Sequence, residues 1–381
     1  MPHELLRHLR ERRGQMVALL EHLTLEESPS AEPNRQGRVL DLLSASLAGC
    51  GYSVRRVGNH LYARSRERGR RRAQLLLGHC DTVWPLGTTK EMPVGSEGGI
   101  VRGPGVYDMK AGLVQMVFAL RAISALGLEP PVAPVVFVNS DEEVGSPGST
   151  RHIRRLARVV ERTFVMEPSL GLDGKLKTAR KGGGRFSVVV EGRAAHAGLD
   201  PEGGASAILE LSYLIQELFA LNDPTRGTTV NVGRIVGGLS PNVVAPGCSA
   251  EVDVRVATLE DARRVQESIL SLGPVTPGTK VRIEGRMGRP PMEPTARNDL
   301  LWRRARSVGE ALGLELEEAT AGGASDGNTT SAYTATLDGL GAVGDGAHAR
   351  HEFVYADAMV ERSALLAALI MEPPIVERSR A

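Results

Sequence analysis

The sequence predicts an α/β protein with a mixed, mostly parallel sheet, helices on both faces and an inserted α+β domain of the ferredoxin-like type. Two short apolar runs, QLLLGH at 74–79 and PVVFVNS at 134–140, are typical of buried strands. Between them, residues 111–126 have the periodicity and length of a helix. A strand, a helix and a strand at this spacing indicate a βαβ unit with parallel strands.

The rest of this first domain lies on both sides of the insertion. Its other predicted elements are helices at 5–24, 36–49, 299–314 and near 356–371, and a hairpin at 52–64. We therefore assign residues 1–182 and 294–381 to one domain.

The segment 183–293 has its own pattern. It predicts strands at 185–195, 228–238, 248–257 and 280–287 and helices at 204–221 and 261–272. The order strand, helix, strand, strand, helix, strand is that of a split βαβ fold. The helix at 204–221 is amphipathic, and strand edges can pair across a two-fold axis, so we expect this inserted domain to form a homodimer.

Composition sets further limits. The chain has 381 residues, 41% hydrophobic and 24% charged, which suits a two-domain globular protein. A net charge of +1 gives no reason to expect nucleic acid or a membrane as a partner. The sequence has neither a signal-like apolar core nor a run near the roughly 18 apolar residues that a membrane helix needs. With only three cysteines, a disulfide framework is not expected, and we expect a cytoplasmic protein.

Acidic and histidine residues stand where hydrophobic runs give way to turns. They are His79, Asp81, Asp108, Glu142, Glu143, Glu167 and His348. A buried carboxylate or imidazole is costly unless a metal neutralises it, and ligands of open α/β sheets bind at the carboxyl ends of the strands. The set therefore predicts a site for two metal ions.

Each member of this set also has a simpler explanation. An H-x-D pattern such as His79–Asp81 can orient a metal-bound imidazole, but it is common without metal. Asp108 alone is explained by a helix cap. Of the pair Glu142 and Glu143, one carboxylate can bind metal while the other accepts a proton from metal-bound water, or both can simply favour a helix N-terminus.

The order of the motifs resembles a known family. The segments are GHCDTVWP, GPGVYDMKAG, DEEVGSPGS, MEPS, GRAAHAG, GGASDGNTT and GAH, within about residues 15–375. They are similar to the di-zinc family that includes aminoacylase, acetylornithine deacetylase, succinyl-diaminopimelate desuccinylase and glutamate carboxypeptidase. The resemblance implies two Zn²⁺ per subunit, for which Co²⁺ or Mn²⁺ can substitute.

The resemblance also implies the ligands. One zinc would be held by His79 and Glu167 and the other by Glu143 and His348, with Asp108 as the bridge. It further implies a cis peptide bond between Asp108 and Met109.

The same resemblance assigns the remaining catalytic roles. Glu142 would be the general base, and Asp81 would orient His79. His196, in GRAAHAG, would polarise the scissile carbonyl, from its own subunit or from the partner of a dimer. Taken alone, a histidine at a strand end is more often a surface residue.

The resemblance also makes the inserted domain a lid over the site, and three of its residues would bind the substrate. They are Asn242, Arg255 and Arg289, and arginine suits a carboxylate because its planar fork binds it with two hydrogen bonds. A structural salt bridge explains Arg255 equally well. The sequence leaves four further roles open, those of His351, Cys80, Lys175 and Lys181.

These features predict a zinc-dependent hydrolase of an amide bond next to a free carboxylate, acting on a small peptide or an N-acyl amino acid. DTVWPLGT and the spacing of GRPPM resemble the glutamate carboxypeptidase branch, which favours a carboxypeptidase that releases a C-terminal residue such as glutamate. The alternative reaction is deacylation or deacetylation of an N-acyl amino acid. An alternative of another class is a catalytically silent relative that only binds such compounds.

Overall fold

The computed structural model describes residues 1–66, 69 and 71–375. The chain forms two compact units. The first comprises Met1–Ala179, Pro294–Ala321 and Ser325–Ala381, and the second comprises Arg180–Glu293 with Gly322–Ala324. That the second unit acts as a lid and dimerisation domain stays a prediction.

The helices and strands follow the chain in this order. The helices are α1 Pro2–Arg10, α2 Arg13–Leu25, α3 Gly37–Gly49, α4 Ala111–Ala125, α5 Thr150–Ala157, α6 Ala207–Ala220, α7 Leu259–Leu270, α8 Ala296–Leu312, α9 Asp326–Ser331 and α10 Ala356–Ile370. The strands are β1 Tyr52–Val57, β2 His60–Ser65, β3 Ala73–His79, β4 Gly95–Glu97, β5 Ile100–Arg102, β6 Ala133–Asn139, β7 Arg162–Val165, β8 Leu176–Arg180, β9 Gly182–Glu191, β10 Thr229–Gly237, β11 Gly247–Val256, β12 Lys280–Arg289, β13 Glu318–Ala321, β14 Ala335–Leu337, β15 Gly344–Asp345 and β16 Phe353–Tyr355. Among the described residues, no helix is both long and apolar enough to cross a bilayer.

The main sheet of the first unit has the order β1-β2-β6-β3-β7-β14. Strand β3 pairs in parallel with β6 and β7, and β14 pairs in parallel with β7, whereas β1 and β2 are antiparallel. Leu76 packs into the core on one face, and Leu75 and Leu77 pack into the core on the other. Because successive side chains alternate between faces, a wholly buried strand such as β3 needs a core on each side.

A second sheet of this unit has the order β15-β16-β5-β4. Strand β16 pairs with β5 in antiparallel register, Phe353 opposite Arg102 and Tyr355 opposite Ile100. This pairing joins the chain that follows His348 to the chain that precedes Asp108.

The second unit has an antiparallel sheet of order β10-β11-β9-β12, with α6 and α7 as its helices. Alternate residues of β9, Phe186, Val188 and Val190, are buried in its own core. The strand order is that of the ferredoxin-like fold. The predicted fold class, a mixed α/β sheet plus an inserted α+β unit, is confirmed.

The first predicted helix differs from the structure. Residues 5–24 form two helices, because α1 ends at Arg10 and α2 begins at Arg13. Leu5 and Leu9 of α1 and Met16 of α2 are buried in one core, which gave the sequence a continuous helical period. Glu11 and Arg12 form the turn between the two helices.

Candidate metal centre

Most of the candidate ligands lie at one edge of the main sheet, where its parallel strands end. His79 is the last residue of β3, and Asp81 follows two residues later. Glu142 and Glu143 follow the end of β6, and Glu167 follows the end of β7. Since the carboxyl ends of parallel neighbours meet at one edge, these side chains converge.

Asp108 and His348 reach the same place from the second sheet. Asp108 lies in a turn at Val106–Lys110, its peptide bond to Met109 is cis, as the resemblance implied, and Lys110 is the N-cap of α4. The helix-cap explanation of Asp108 is therefore wrong. His348 lies between β15 and β16 with φ 60°, a backbone conformation that residues other than glycine rarely adopt.

The carboxylate of Asp108 faces two histidines with its two oxygens. Oδ1 lies 3.3 Å from Nε2 of His79, and Oδ2 lies 3.5 Å from Nε2 of His348. Nε2 of His79 is also 3.4 Å from Oε1 of Glu167, and Nε2 of His348 is 3.1 Å from Oε2 of Glu143. Two groups of nitrogen and oxygen donors thus share one carboxylate.

The donors fit a pair of cations. Within the described part of the chain, Oδ1 of Asp108 and Oε1 of Glu143 are buried, and neither accepts a hydrogen bond of good geometry, although Oδ1 of Asp108 is 3.3 Å from Nε2 of His79. A buried carboxylate oxygen without a donor is costly, and a cation would remove that cost. Two imidazole nitrogens with several carboxylates are ligands that suit Zn²⁺.

The electrostatics of the metal-free cluster lead to the same conclusion. Burial opposes the charge on His79, but the carboxylates of Asp108, Asp81 and Glu167 outweigh it and raise its pKa well above the ordinary value. Hydrogen bonds to Asp108 and Glu143 raise the pKa of His348 to about 10. The negative field of this cluster therefore holds protons where cations would bind.

Asp81 makes more contacts than the H-x-D pattern implied. Nδ1 of His79 lies 3.0 Å from the backbone carbonyl oxygen of Asp81 and 3.5 Å from its Oδ1. The carboxylate also accepts hydrogen bonds from the N–H groups of Glu142 at 3.1 Å and Glu143 at 3.2 Å, and from the hydroxyl of Ser30 at 2.7 Å. Asp81 therefore joins the end of β3 to the loop that follows β6.

Glu142 lies beside the first group of donors. One of its carboxylate oxygens is within 4.8 Å of donor atoms of His79 and Glu167, and the side chain is mostly buried. Donor atoms of His79, Asp108 and Glu143 also lie within 4.8 Å of one another, so Glu143 is close to His79 as well as to His348.

Two supporting residues have no counterpart among the sequence predictions. Asp326, in GGASDGNTT, accepts hydrogen bonds of 2.6 Å from Asn139 at the end of β6 and from Ser146 in the loop beyond it. Glu352 accepts four N–H hydrogen bonds around the Asp108 turn. The only sequence signal for either was its place in or next to a motif, GGASDG for Asp326 and GAH for Glu352.

His196 and Asn242 lie on paired segments of the second unit. His196 forms a β-bridge with Val243, and the N–H of Ala197 donates to the carbonyl of Asn242 at 3.0 Å. Nδ1 of His196 accepts from the N–H groups of Gly198 at 3.1 Å and Leu199 at 3.2 Å. An acceptor Nδ1 leaves the proton of the neutral ring on Nε2, where it can be donated to another group.

Arg255 and Arg289 lie on opposite sides of one glycine. Both are in register with Gly183 of β9, and the Arg255 guanidinium lies over that glycine. The fork of Arg255 binds both carboxylate oxygens of Asp253, at 2.8 and 3.0 Å. In this structure Arg255 therefore forms the salt bridge that was its alternative explanation.

Three of the residues with open roles have simple environments. Cys80 is buried, and burial raises the pKa of its thiol to about 12, so the sulfur stays protonated. Lys175 contacts the carboxylates of Asp173 at 3.3 Å and Glu317 at 2.7 Å. His351 is exposed.

Known proteins resemble this chain along most of its length. The family model described as peptidase family M20/M25/M40 matches residues 75–372. Carboxypeptidase G2 of Pseudomonas sp. (strain RS-16) is 28% identical over 380 residues, covering 94% of this chain and 89% of its own. Succinyl-diaminopimelate desuccinylase of Azoarcus sp. (strain BH72) is 28% identical over 344 residues, which cover 84% of this chain and 88% of the relative. The crystal structure of Bacillus subtilis YXEP, a dinuclear metal binding peptidase from the M20 family, superposes with a TM-score of 0.68 at 13% identity. The superposition covers 95% of this chain and 98% of YXEP.

Proposed function

Because the chain belongs to peptidase family M20/M25/M40 and is a hydrolytic enzyme of peptides or acyl amino acids, we propose that it is a zinc-dependent carboxypeptidase. It would cleave the amide bond next to a free carboxylate and release a C-terminal residue such as glutamate. The relative named carboxypeptidase G2, which this chain matches over 94% of its length, supports this substrate class.

The observation that carries the proposal is the position of Asp108 between His79 and His348. His79, Asp108 and Glu167 would hold one Zn²⁺, and Asp108, Glu143 and His348 the other, with Co²⁺ or Mn²⁺ as substitutes. The dinuclear metal site of the structural neighbour YXEP supports two ions. When bound, such cations act as Lewis acids and make water nucleophilic near neutral pH.

Glu142 would be the general base, and Glu143 the metal ligand. Both glutamates lie near His79, and Glu143 also lies 3.1 Å from Nε2 of His348. Glu142 would accept a proton from the attacking water and return it to the leaving amine. Asp81 would hold His79 and the loop of both glutamates in place.

The second unit would supply the groups that bind substrate. His196 would donate its Nε2–H to the oxygen on which negative charge develops, because its Nδ1 already accepts two backbone N–H groups. Asn242, Arg255 and Arg289 would hold the carbonyl and the free carboxylate. Arg255 would take part with the N–H donors that its salt bridge with Asp253 does not use.

A second candidate reaction is the deacylation of an N-acyl amino acid. It is supported by the succinyl-diaminopimelate desuccinylase relative, which this chain matches over 84% of its length. Both reactions hydrolyse an amide bond, and they differ in whether the acyl side is an amino acid or a simple acid.

We also propose a homodimer formed through the second unit. Strand β10 is at an edge of its sheet, and Ile235 and Val236 expose 54% and 57% of their surface there. Exposed apolar side chains on an edge strand favour pairing with another copy. Sedimentation of the wild type and of Ile235→Asp at several concentrations tests this: a monomeric wild type contradicts the dimer. The free cysteines, all buried, fit the proposed cytoplasmic location.

The substrate proposal is tested by a matched hydrolysis screen with zinc, cobalt or manganese. Dipeptides and N-acyl amino acids are offered as pairs that differ only in a free or amidated C-terminal carboxylate. We expect cleavage of the free-acid member and little of the amide. Equal cleavage of both members would contradict the recognition of a carboxylate. Cleavage of N-acyl amino acids alone would favour deacylation.

A further inference from the structure

Glu352 is a buried carboxylate that the proposed reaction does not use. Its exposed fraction is 1%. Oε2 accepts hydrogen bonds from the indole N–H of Trp84 at 2.9 Å and the backbone N–H of Gly105 at 2.8 Å. Oε1 accepts from the backbone N–H groups of Tyr107 at 2.9 Å and Asp108 at 3.0 Å. Four N–H donors thus use the four lone pairs of one carboxylate.

These four donors belong to segments that carry candidate ligands. Trp84 follows His79 in the loop after β3, and the three backbone donors form the turn of Asp108. Glu352 itself follows His348 in a turn closed by hydrogen bonds from Ala349 N to Gly346 O at 2.8 Å and from Glu352 N to Ala349 O at 3.1 Å. One side chain therefore connects three segments that the sequence separates widely.

We propose that Glu352 is a positioning residue for the metal centre: its carboxylate fixes the segments of His79, Asp108 and His348 relative to one another before cations bind. The inference rests on the two-metal centre proposed above. Asp108 must direct one oxygen to each histidine, so a rotation of its peptide plane would move both contacts. The hydrogen bonds from the N–H groups of Tyr107 and Asp108 to one Glu352 oxygen oppose that rotation.

The variant Glu352→Gln tests this directly. Glutamine keeps the shape, but its NH₂ group is a donor, so at least two of the four N–H groups lose their acceptor. Groups that hold metal ligands in place by hydrogen bonds typically contribute about 10–100-fold to metal affinity. We expect Glu352→Gln to weaken zinc binding by about that factor. Glu352→Asp keeps all the acceptors on a shorter stem and should recover part of the loss.

Glu210 offers a matched control in the second unit. It is also a fully buried glutamate, and it accepts backbone N–H groups, from Val275 at 3.1 Å and Thr276 at 2.6 Å. Glu210→Gln should lower the melting temperature and leave zinc affinity unchanged. Trp84→Phe removes one of the four donors to Glu352, but Oε2 still accepts from the N–H of Gly105, so this variant should weaken zinc binding less than Glu352→Gln does.

The experiment is a competitive zinc titration of the metal-depleted full-length chain, with melting temperatures measured in parallel. A wild type that binds fewer than two zinc ions would contradict the two-metal centre itself. A wild type that binds two, with Glu352→Gln binding two at the same affinities and only melting lower, would overturn the positioning role. If Glu352→Gln does not fold, the zinc affinities of Glu352→Asp and Trp84→Phe test the positioning role instead. Wild-type zinc affinities for both variants would overturn that role.

Discussion

Oδ1 of Asp81 accepts a hydrogen bond of 3.1 Å from the backbone N–H of Glu142. Asp81, which follows the end of β3, thus holds the loop that contains Glu142, the proposed general base. Burial opposes the charge of Asp81, but hydrogen bonds from His79, Ser30 and the Glu142 N–H lower its pKa, so the side chain stays an anion.

Asp81→Asn should therefore disturb both His79 and Glu142. The amide loses the charge and one acceptor, and we expect kcat/KM to fall by about 10–100-fold or more, as for other groups that orient metal ligands. Ser30→Ala removes only one hydrogen bond from the same carboxylate and serves as the control. Equal kinetics of Asp81→Asn and Ser30→Ala would argue against the orienting role.

The two adjacent glutamates should give different phenotypes. Glu142→Gln should keep both metals and lose about 10²–10⁴-fold in kcat, because a general base is removed. Glu143→Gln should instead lower the metal content. Metal analysis and steady-state kinetics of both proteins check this, and exchanged phenotypes would mean that the two roles have been assigned the wrong way round.

His196→Ala should lower kcat strongly and leave the metal content unchanged, because a donor to an oxyanion acts mainly in the transition state. Removal of one such donor typically costs about 10²–10³-fold in kcat. The exposed His22 of α2 gives a control, since His22→Ala should change neither kcat nor KM. A rise in KM alone for His196→Ala would exclude the proposed role.

Metal binding should release protons, and stability of the metal-free chain should depend on pH. The folded pKa of His348 is about 10, above an unfolded value of about 6.5. A raised histidine pKa stabilises the fold fully below the unfolded pKa, and this contribution is lost as pH rises through the folded pKa. We expect the melting temperature of the metal-free chain to fall between about pH 7 and pH 10, with a smaller change for the zinc-loaded chain.

Calorimetric zinc titrations at about pH 8, in buffers of different ionisation enthalpy, measure the protons released. Binding heats that do not depend on the buffer would show that no proton leaves, contrary to this expectation.

Gly112→Ala should destabilise the first unit. A Cβ at this position of α4 would overlap the carbonyl oxygen of Met166, the residue before Glu167. Overpacking of this kind costs about 1–3 kcal/mol. Gly14→Ala in α2 is the control, since nothing lies within 4 Å of its Cβ, and it should be neutral or stabilising by up to about 1 kcal/mol. Equal unfolding free energies for the two variants, measured in urea, would contradict the overlap.

Local patterns determined much of this protein. The apolar runs of β3 and β6 are continuous because both faces are buried, and the alternation in β9 marks a sheet with one buried face. The residue types at the strand ends, such as His79 and Glu167, already predicted bound metal cations. The fold class and the family could therefore be inferred from the sequence, since both depend on periodicity and on the order of motifs.

Only the tertiary structure decided which atoms meet. Glu352 and Asp108 are 244 residues apart, and no local pattern encodes the hydrogen bond between them. The sequence left a substrate contact and a salt bridge as equal explanations of Arg255. Strand alternation puts Arg255 and Asp253 on one face of β11, and only the structure showed that their side chains meet. Periodicity reports which face of a strand or helix is buried. The partner of a buried polar group depends on how distant segments pack, because each donor and acceptor must be satisfied by whatever the fold brings near.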